Sequence, residues 1–219
     1  MTTPEAYLSR DGENVVVRLD NQERFRIPIH NIEGIVCMGF MGASPALMSL
    51  CAERKVALSF VSGGGYFLGR VTGPVSGNVL LRRKQFRVAD NPENCLKMSQ
   101  LFVAGKILNS KTVLQRAIRD HAQNVNIPAL EEAISKLTFC QKQAQSTMNQ
   151  NELRGFEGES ASIYFLVFNE LILHQKDDFF MQGRNRRPPL DNVNALLSFV
   201  YTLLMHEVRA ALECVGLVL

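Results

Sequence analysis

Hydrophobic and polar residues alternate with a period of two along much of residues 1–84, and this pattern predicts a domain of short β-strands. In RFRIPIH, for example, Phe25, Ile27 and Ile29 alternate with arginines and a proline, as a half-buried strand requires. The segment SGGGYFLGRV predicts a hairpin. One short helix is expected within this region, with Ser44 as its N-cap and a proline in its first turn.

The hydrophobic period becomes helical from about Cys95 onward, and it predicts an all-α domain over residues 95–219. The expected helices lie in LFVAGKILNSKTVLQRAIRDH, over roughly Pro128–Asn149, from near Gly155 onward, and over about Asp191–Cys214. The polar residues 85–94 are interpreted as a linker. The predicted fold class is therefore α+β, with a small N-terminal β domain followed by a helical domain that is incomplete at its C-terminus.

The composition is that of an ordinary globular protein: 219 residues, 46% hydrophobic and 21% charged, with a formal net charge of +3. Five cysteines are scattered without a CxxC pair, which favours reduced core thiols in a cytoplasmic protein over a disulfide framework or a zinc site. No uninterrupted apolar run is long enough to span a bilayer, so no membrane partner is expected. The chain stops in the apolar segment ALECVGLVL, and because domain ends usually lie at the surface, a C-terminal truncation is expected.

The segment RGFEGESASIYF contains the first candidate for chemistry. On a helix, Glu157 shares a face with apolar residues that follow it, whereas Glu159 is rotated by about 200° and is expected in solvent. The structural explanation for both acids is the positive end of a helix dipole. A carboxylate on a buried face is costly without a cation, however, and the flanking Gly155 and Gly158 leave room for a ligand. Glu157 is therefore also a candidate metal ligand.

The last predicted helix carries a polar stripe beside its apolar one. Asn194, Ser198 and Tyr201 have the spacing i, i+4 and i+7. The stripe is either a hydrogen-bonded contact between helices or the wall of a polar cleft opposite Glu157, and the sequence leaves both interpretations open. The expected core stripe of the same helix consists of aliphatic residues, namely Val193, Leu197, Val200, Leu204, Val208, Ala211 and Leu212.

Two clusters of basic residues are candidates for DNA contacts. The first cluster contains Arg82, Arg83, Lys84 and Arg87, and the second contains Arg184, Arg186 and Arg187. Most charge runs are solvated surface, but arginine forks suit bidentate contacts with phosphate, and such binding depends strongly on salt. The four histidines have no partner at metal-binding spacing and are expected to be structural or surface residues.

Taken together, GKILNSKTVLQR, RGFEGESASIYF and GRNRRPPLDNVNALLSFVYTLL resemble the CRISPR-associated integrase family, which acquires new spacers in the adaptation step of antiviral defence. The resemblance covers nearly the whole chain, and GxEG and RRPPxDxxNALLSxxY are its most specific segments. The β half resembles the N-terminal domain of subtype I-C members. The resemblance implies a dimerisation domain at residues 1–84, a catalytic domain at residues 95–219, DNA as substrate, and a small ferredoxin-like partner protein that bridges homodimers.

The resemblance also implies a divalent metal, Mg²⁺ or Mn²⁺, held by a glutamate, a histidine and an aspartate. The glutamate of GxEG falls on Glu157, and the other two ligands are expected beyond Leu219. Tyr201, which matches the tyrosine of NALLSxxY, is expected near the site, and the arginine clusters are expected to hold DNA phosphates. These 219 residues are accordingly expected to bind metal weakly and not to integrate DNA.

The function implied for the family protein is a metal-dependent DNA endonuclease and integrase that inserts new spacers into a CRISPR array. Two alternatives stay open: a non-catalytic DNA-binding and dimerisation module, and a nuclease that acts on branched DNA. The sequence encoded after Leu219 separates the enzyme from the module. A comparison of spacer integration with junction cleavage separates the integrase from the branched-DNA nuclease.

Overall fold

The computed structural model describes residues 2–3, 5–39, 41–64, 66–73, 78–185 and 188–218. The chain divides into two compact units. The first unit combines residues Met1–Lys84 with Ser198–Leu219, and the second unit contains Gln85–Leu197. The strands precede the long helices, so the predicted α+β class is confirmed.

Within the described residues, the strands of the first unit form two sheets. The strands are β1 (Tyr7–Asp11), β2 (Asn14–Leu19), β3 (Gln22–Pro28), β4 (Gly34–Met38), β5 (Gly42–Ala43), β6 (Ala57–Val61) and β7 (Phe67–Val71). One sheet has the order β3-β2-β1-β5, with antiparallel neighbours except for the parallel pair β1 and β5. The other sheet has the order β4-β6-β7, in which β4 and β6 are parallel and β6 and β7 form the predicted antiparallel hairpin.

A short helix, α1 (Pro45–Arg54), fills the core of this unit as the sequence predicts. The Ser44 hydroxyl accepts a hydrogen bond from the Leu47 amide at 3.2 Å, which satisfies one of the free donors at the helix start. Leu47 and Leu50 are fully buried and pack in one cluster with Leu8 and Leu58. These contacts remove apolar surface of the strands and of α1 from water, which is the main force holding this unit together.

The alternation predicted for β3 is only partly matched by burial. Ile29 is buried just after the strand, but Phe25 is 57% exposed. The reason is that β3 is the edge strand of its sheet. No layer of the described residues covers Phe25.

The remaining helices are α2 (Val79–Ala89), α3 (Pro92–His121), α4 (Ile127–Ser146), α5 (Gln150–Leu166) and α6 (Asn192–Cys214). The residues interpreted as a linker, 85–94, contain the end of α2 and the start of α3 instead. Helix α5 begins earlier than the expected Gly155, because the Asn149 side chain accepts hydrogen bonds from the amides of its first turn. Asn91 and Asn126 cap α3 and α4 in the same way.

Helices α3, α4 and α5 share one hydrophobic core. Leu114 of α3, Leu137 of α4 and Leu153 of α5 are almost completely buried in it. Cys140 is buried there as well, and Cys37 and Cys51 are buried in the first unit. Burial raises the pKa of Cys51 to about 11, so its thiol stays protonated. The prediction of core thiols is confirmed for these three cysteines, whereas Cys95 is only half-buried and the side chain of Cys214 lies outside the described residues.

The core stripe predicted for α6 is wrong over most of its length. Val193 is buried, but Val200, Leu204 and Val208 are 55%, 54% and 45% exposed. Among the described residues, Asn192–Glu213 is also the one helix long and apolar enough to cross a membrane by length and composition. A single helix of this kind is weak evidence for a membrane span, because core helices of soluble proteins can have the same length and composition.

Candidate functional site

The residue with the strongest sequence case, Glu157, lies in the middle of α5. Its side chain is 42% exposed, so the carboxylate is not buried as predicted. The buried face of the helix is formed by residues such as Leu153 and Ser160, which are 2% and 4% exposed. Glu157 follows Leu153 by four residues and precedes Ser160 by three, so it starts on this face, but its side chain reaches solvent. Glu159 is exposed, as predicted.

The Glu157 carboxylate has a cationic partner from another helix. Lys106 of α3 donates a hydrogen bond from Nζ to Oε1 at 2.8 Å. Both side chains are about half exposed, so water screens the pair and its contribution to stability is small. The pair nevertheless fixes a carboxylate and an ammonium group side by side on the surface of the second unit.

The surface around this pair is bare. Gly155 and Gly158 lie inside a helix, and a Cβ at either position would meet nothing within 4 Å. Neither glycine is therefore required for close packing, although each weakens the helix by about 1 kcal/mol relative to alanine. The two glycines that flank Glu157 in the sequence therefore leave open space on α5, and a ligand there stays a prediction.

The described residues do not fit a complete site for a divalent metal. No group of three or more histidine, cysteine, aspartate or glutamate residues able to hold a metal occurs within the described ranges. Mg²⁺ and Mn²⁺ require several oxygen ligands, whereas Glu157 offers one carboxylate that already contacts Lys106. The role of Glu157 as one ligand of a metal site stays a prediction.

Asn194 does not form the wall of a cleft, because it is completely buried. Its Nδ2 donates to the Gly183 carbonyl at 2.8 Å and to Asp191 Oδ2 at 2.7 Å. Its Oδ1 accepts from Arg184 Nη1 at 2.8 Å and from the Asn185 amide at 3.1 Å. Asn194 is thus an anchor that ties the loop before α6 to the first turn of that helix.

The other two members of the predicted polar stripe differ from Asn194. Tyr201 is 44% exposed, and Ser198 is half-buried. The Ser198 Oγ atom is buried without a hydrogen-bond partner among the described residues. The stripe is therefore neither a uniform packing contact nor a uniform cleft, and the role of Tyr201 near a site stays a prediction.

The first basic cluster lies on a helix and not in a linker. Arg83, Lys84 and Arg87 are exposed on α2. Arg82 is half-buried, and its Nε donates to the Gly216 carbonyl at 3.1 Å. The exposed residues remain available for a polyanion, whereas part of the Arg82 guanidinium is used within the first unit.

The second basic cluster is described only at Arg184, because Arg186 and Arg187 lie outside the described residues. Arg184 donates to Asn194, as stated above, and its guanidinium carbon lies 5.8 Å from the centre of the Phe165 ring. This geometry favours a role in positioning the loop. Direct contact of these three arginines with DNA stays a prediction.

Sequence reasoning missed Lys106. Helical phase places Lys106 beside the buried Val103 and Ile107, which was a signal that it lies near the edge of the α3 core face. The ion pair between Lys106 and Glu157 could not be predicted, because the sequence does not show which helix packs beside α3 at Lys106.

Comparisons with known proteins agree on one family. The family profile described as "CRISPR associated protein Cas1" matches residues 1–218. The chain is 46% identical over 217 residues to "CRISPR-associated endonuclease Cas1 1" of Chlorobaculum tepidum, which covers 99% of this chain and 63% of that protein. It is 43% identical over 221 residues to "CRISPR-associated endonuclease Cas1 2" of Rhodospirillum rubrum, with the same two coverages. The chain therefore spans less than two thirds of the length of these relatives.

Solved structures share the fold. A CAS1 protein from Thermotoga maritima superposes with a TM-score of 0.78 at 21% identity, over 96% of this chain and 63% of the other. A casposase bound to an integration product superposes with a TM-score of 0.75 at 21% identity, over 99% of this chain and 61% of the other. At these identities the similarity supports the fold, and the family assignment rests on the sequence matches.

Proposed function

This chain belongs to the Cas1 family of CRISPR-associated proteins, and from that premise we propose that it is part of a DNA endonuclease and integrase that inserts new spacers into a CRISPR array. The names of the sequence relatives support a nuclease. Because the chain spans about 63% of those relatives, the activity is proposed for the family protein and not for these residues alone. Subtype I-C, a cytoplasmic location, DNA as substrate, a homodimer and a small ferredoxin-like partner are parts of the same proposal.

The observation that carries the proposal is the accessible carboxylate of Glu157 between two helical glycines that face open space. A backbone as bulky as DNA can approach this part of α5 without a clash from side chains at positions 155 and 158. Lys106 adds a cation 2.8 Å from the carboxylate, and an ammonium group at that place attracts a DNA phosphate. The site therefore combines an acidic group with a phosphate-binding group on one open surface.

Metal dependence, with Mg²⁺ or Mn²⁺, stays a prediction. A divalent metal would polarise a phosphoryl oxygen in the transfer of DNA strands. Glu157 is the ligand that this chain would contribute. The described residues do not complete the coordination, and we assign no step of the reaction to the metal in this chain.

The test of the proposal compares Glu157→Ala with Glu159→Ala in the protein encoded by the whole gene. Both substitutions remove a carboxylate from α5, but only Glu157 pairs with Lys106. We expect integration of short duplexes into a repeat-containing plasmid to fall at least a hundredfold with Glu157→Ala and less than twofold with Glu159→Ala, in the range typical of a lost electrostatic group. Equal activity of the two variants would show that Glu157 is not part of the active site.

The same assay separates the alternative functions. A branched-DNA nuclease would cleave junctions efficiently and integrate poorly, and both reactions would require Glu157. A non-catalytic module is favoured by one observation, the neutralisation of Glu157 by Lys106, and it predicts DNA binding without cleavage or integration. The 219 residues alone are expected to bind metal weakly and not to integrate DNA. Metal-dependent cleavage by them, abolished by Glu157→Ala, would contradict that expectation.

A further inference from the structure

A cavity of about 250 Å³ lies within the first unit, beside the ends of α1, β7 and α6. Three basic residues and one acidic residue line it, namely Lys55, Arg70, Arg82 and Glu213. Most of the other lining residues are small or aliphatic. The cavity is therefore a largely apolar space with an excess of positive charge, and neither the basic clusters nor Glu157 explains it.

Arg70 is the most constrained cation of this wall. Its side chain is 8% exposed, and it forms an ion pair with Glu213. Its Nη1 atom is buried and has no hydrogen-bond partner among the described residues. Burial, and to a smaller extent the guanidinium of Arg209, lowers the pKa of Arg70. A buried guanidinium with an unsatisfied donor is unusual, because buried polar groups are nearly always hydrogen-bonded.

The other two cations that line the cavity are Arg82 and Lys55. The hydrogen bond from Arg82 Nε to the Gly216 carbonyl fixes the side chain against the turn after α6. Lys55 ends α1 in the left-handed conformation, with a φ of 58°. Gly73 forms part of the wall, and a Cβ there would lie 2.9 Å from the Ala52 Cβ. The main chain therefore depends on a glycine to pack closely at this point.

We propose that this cavity binds a small organic oxyanion, either a phosphate monoester or a carboxylate, through the guanidinium groups of Arg70 and Arg82. Two planar forks at one small cavity suit an oxyanion, because each fork donates parallel hydrogen bonds to acceptor oxygens. Glu213 supplies one acceptor to Arg70. The bound anion supplies acceptors for the guanidinium donors that face the cavity and balances the excess positive charge.

The rest of the wall specifies the body of the ligand. Aliphatic side chains such as Val56, Val71 and Leu217 offer no hydrogen bonds to it. The volume is slightly below the range typical of drug-sized ligands, which begins at about 300 Å³. The ligand is therefore expected to carry one anionic group on a compact apolar body, and a bare inorganic ion would leave the apolar wall unused.

The experiment titrates the 219-residue protein with inorganic phosphate, phenyl phosphate, benzoate and the uncharged phenol, and records binding by calorimetry. We expect phenyl phosphate or benzoate to bind at least tenfold more tightly than inorganic phosphate, because the ring buries apolar surface. Phenol is expected not to bind measurably. Tighter binding of phenyl phosphate would indicate a phosphate ligand, and tighter binding of benzoate would indicate a carboxylate ligand. Equal binding of phenol, or no binding of either aromatic anion, would overturn the proposal.

Charge variants test the assigned residues. Arg70→Met and Arg82→Gln are each expected to lower the affinity for the anion at least tenfold, since each removes charge-assisted hydrogen bonds. Glu213→Gln is expected to strengthen binding several-fold, because it removes the carboxylate that competes for Arg70. The matched control is Arg54→Gln, one residue from Lys55, whose side chain is 54% exposed, pairs with Glu13 and does not line the cavity. It should leave the affinity unchanged.

A purely structural role for the ion pair predicts a different result. In that case Arg70→Met and Glu213→Gln would both lower the melting temperature, and neither would alter anion binding. Ala210→Leu, which fills the cavity without changing charge, should abolish binding in a protein that still folds. If Arg70→Met weakened only the binding of short DNA and the aromatic anions did not bind, the cavity would be a DNA contact and the proposal would be wrong.

Discussion

Two polar positions of the second unit, Glu157 on α5 and Asn194 on α6, are candidates for one cleft by sequence and differ in almost every physical respect. Asn194 is completely buried and makes four hydrogen bonds through its side chain. Glu157 is 42% exposed, has one ionic contact to Lys106 and lies next to bare helix surface.

The difference teaches how to separate structural from functional polar residues in this fold. When every donor and acceptor of a buried side chain is hydrogen-bonded within the protein, as at Asn194, a structural role alone explains the residue. A carboxylate held by one screened ion pair contributes little to folding, so its presence next to two unpacked glycines needs another explanation. The DNA chemistry proposed above would account for Glu157.

The largest effect on stability is expected for Asn194→Ala. The change removes four buried hydrogen bonds, among them those with Arg184 and the Gly183 carbonyl, and such losses cost about 3 kcal/mol in total. Urea unfolding of the variant would show a lower midpoint with an unchanged slope. The control is Asn192→Ala, which loses one exposed hydrogen bond to the Asp178 carbonyl. Equal midpoints for the two variants would mean that Asn194 is not the anchor of the loop.

A smaller effect on stability, and one of opposite sign, is expected for Gly155→Ala and Gly158→Ala. Each adds a Cβ into open space inside a helix and should stabilise the protein by about 0.5–1 kcal/mol. In the protein encoded by the whole gene, the same changes are expected to reduce integration, because they occupy the surface beside Glu157. Gain of stability with loss of activity is the pattern expected of residues kept for function.

Gly105→Ala provides the matched control for the glycine prediction. Gly105 is also helical, and a Cβ there would also meet nothing within 4 Å. The variant should gain similar stability and retain full integration. If all three alanine variants retained activity, the bare surface on α5 would have no role in DNA binding.

The sequence predicted much of the fold because local rules determine it. The strands from Val15 to Val71 follow alternation and turn signals, and Ser44 caps α1 as expected. Sequence reasoning failed where long-range contacts decide the outcome. It could not show that Lys106 meets Glu157, that Asn194 turns inward to residues 183–185, or that the apolar face of α6 stays exposed. In each case the pattern gives the face of a helix, but not what lies opposite.

Replacing Lys106 with Met should have a still smaller effect on stability. The pair with Glu157 is half exposed on both sides, so its loss is expected to cost less than about 1 kcal/mol, and less again at high salt. Binding of short duplex DNA should weaken across sequences and become less dependent on salt, because one phosphate contact is lost. Lys136→Met, which breaks an exposed pair with Glu132 on α4, is the control. A similar loss of DNA binding in both variants would indicate general electrostatics and not a local site.

The smallest effect on stability is expected at His206. This buried residue of the first unit tests the same contrast between a buried structural side chain and an exposed functional one. Its ring lies 5.5 Å from that of Phe67, and burial, aided by Arg70 and Arg209, lowers its pKa below 6.5. The unfolded chain therefore binds the proton at a higher pH than the folded chain does. The stability that His206 contributes is fully present above pH 6.5 and declines as the pH falls through that value towards the lower folded pKa.

Urea unfolding between pH 8 and pH 5 should therefore show a decline that is weaker in His206→Leu than in the parent protein, whereas the exposed His121→Gln should retain it. A decline of equal size in His206→Leu would assign it to carboxylates elsewhere in the chain. A histidine buried as an uncharged packing residue thus leaves a pH signature in stability. The exposed Glu157, by contrast, should leave its main signature in DNA chemistry.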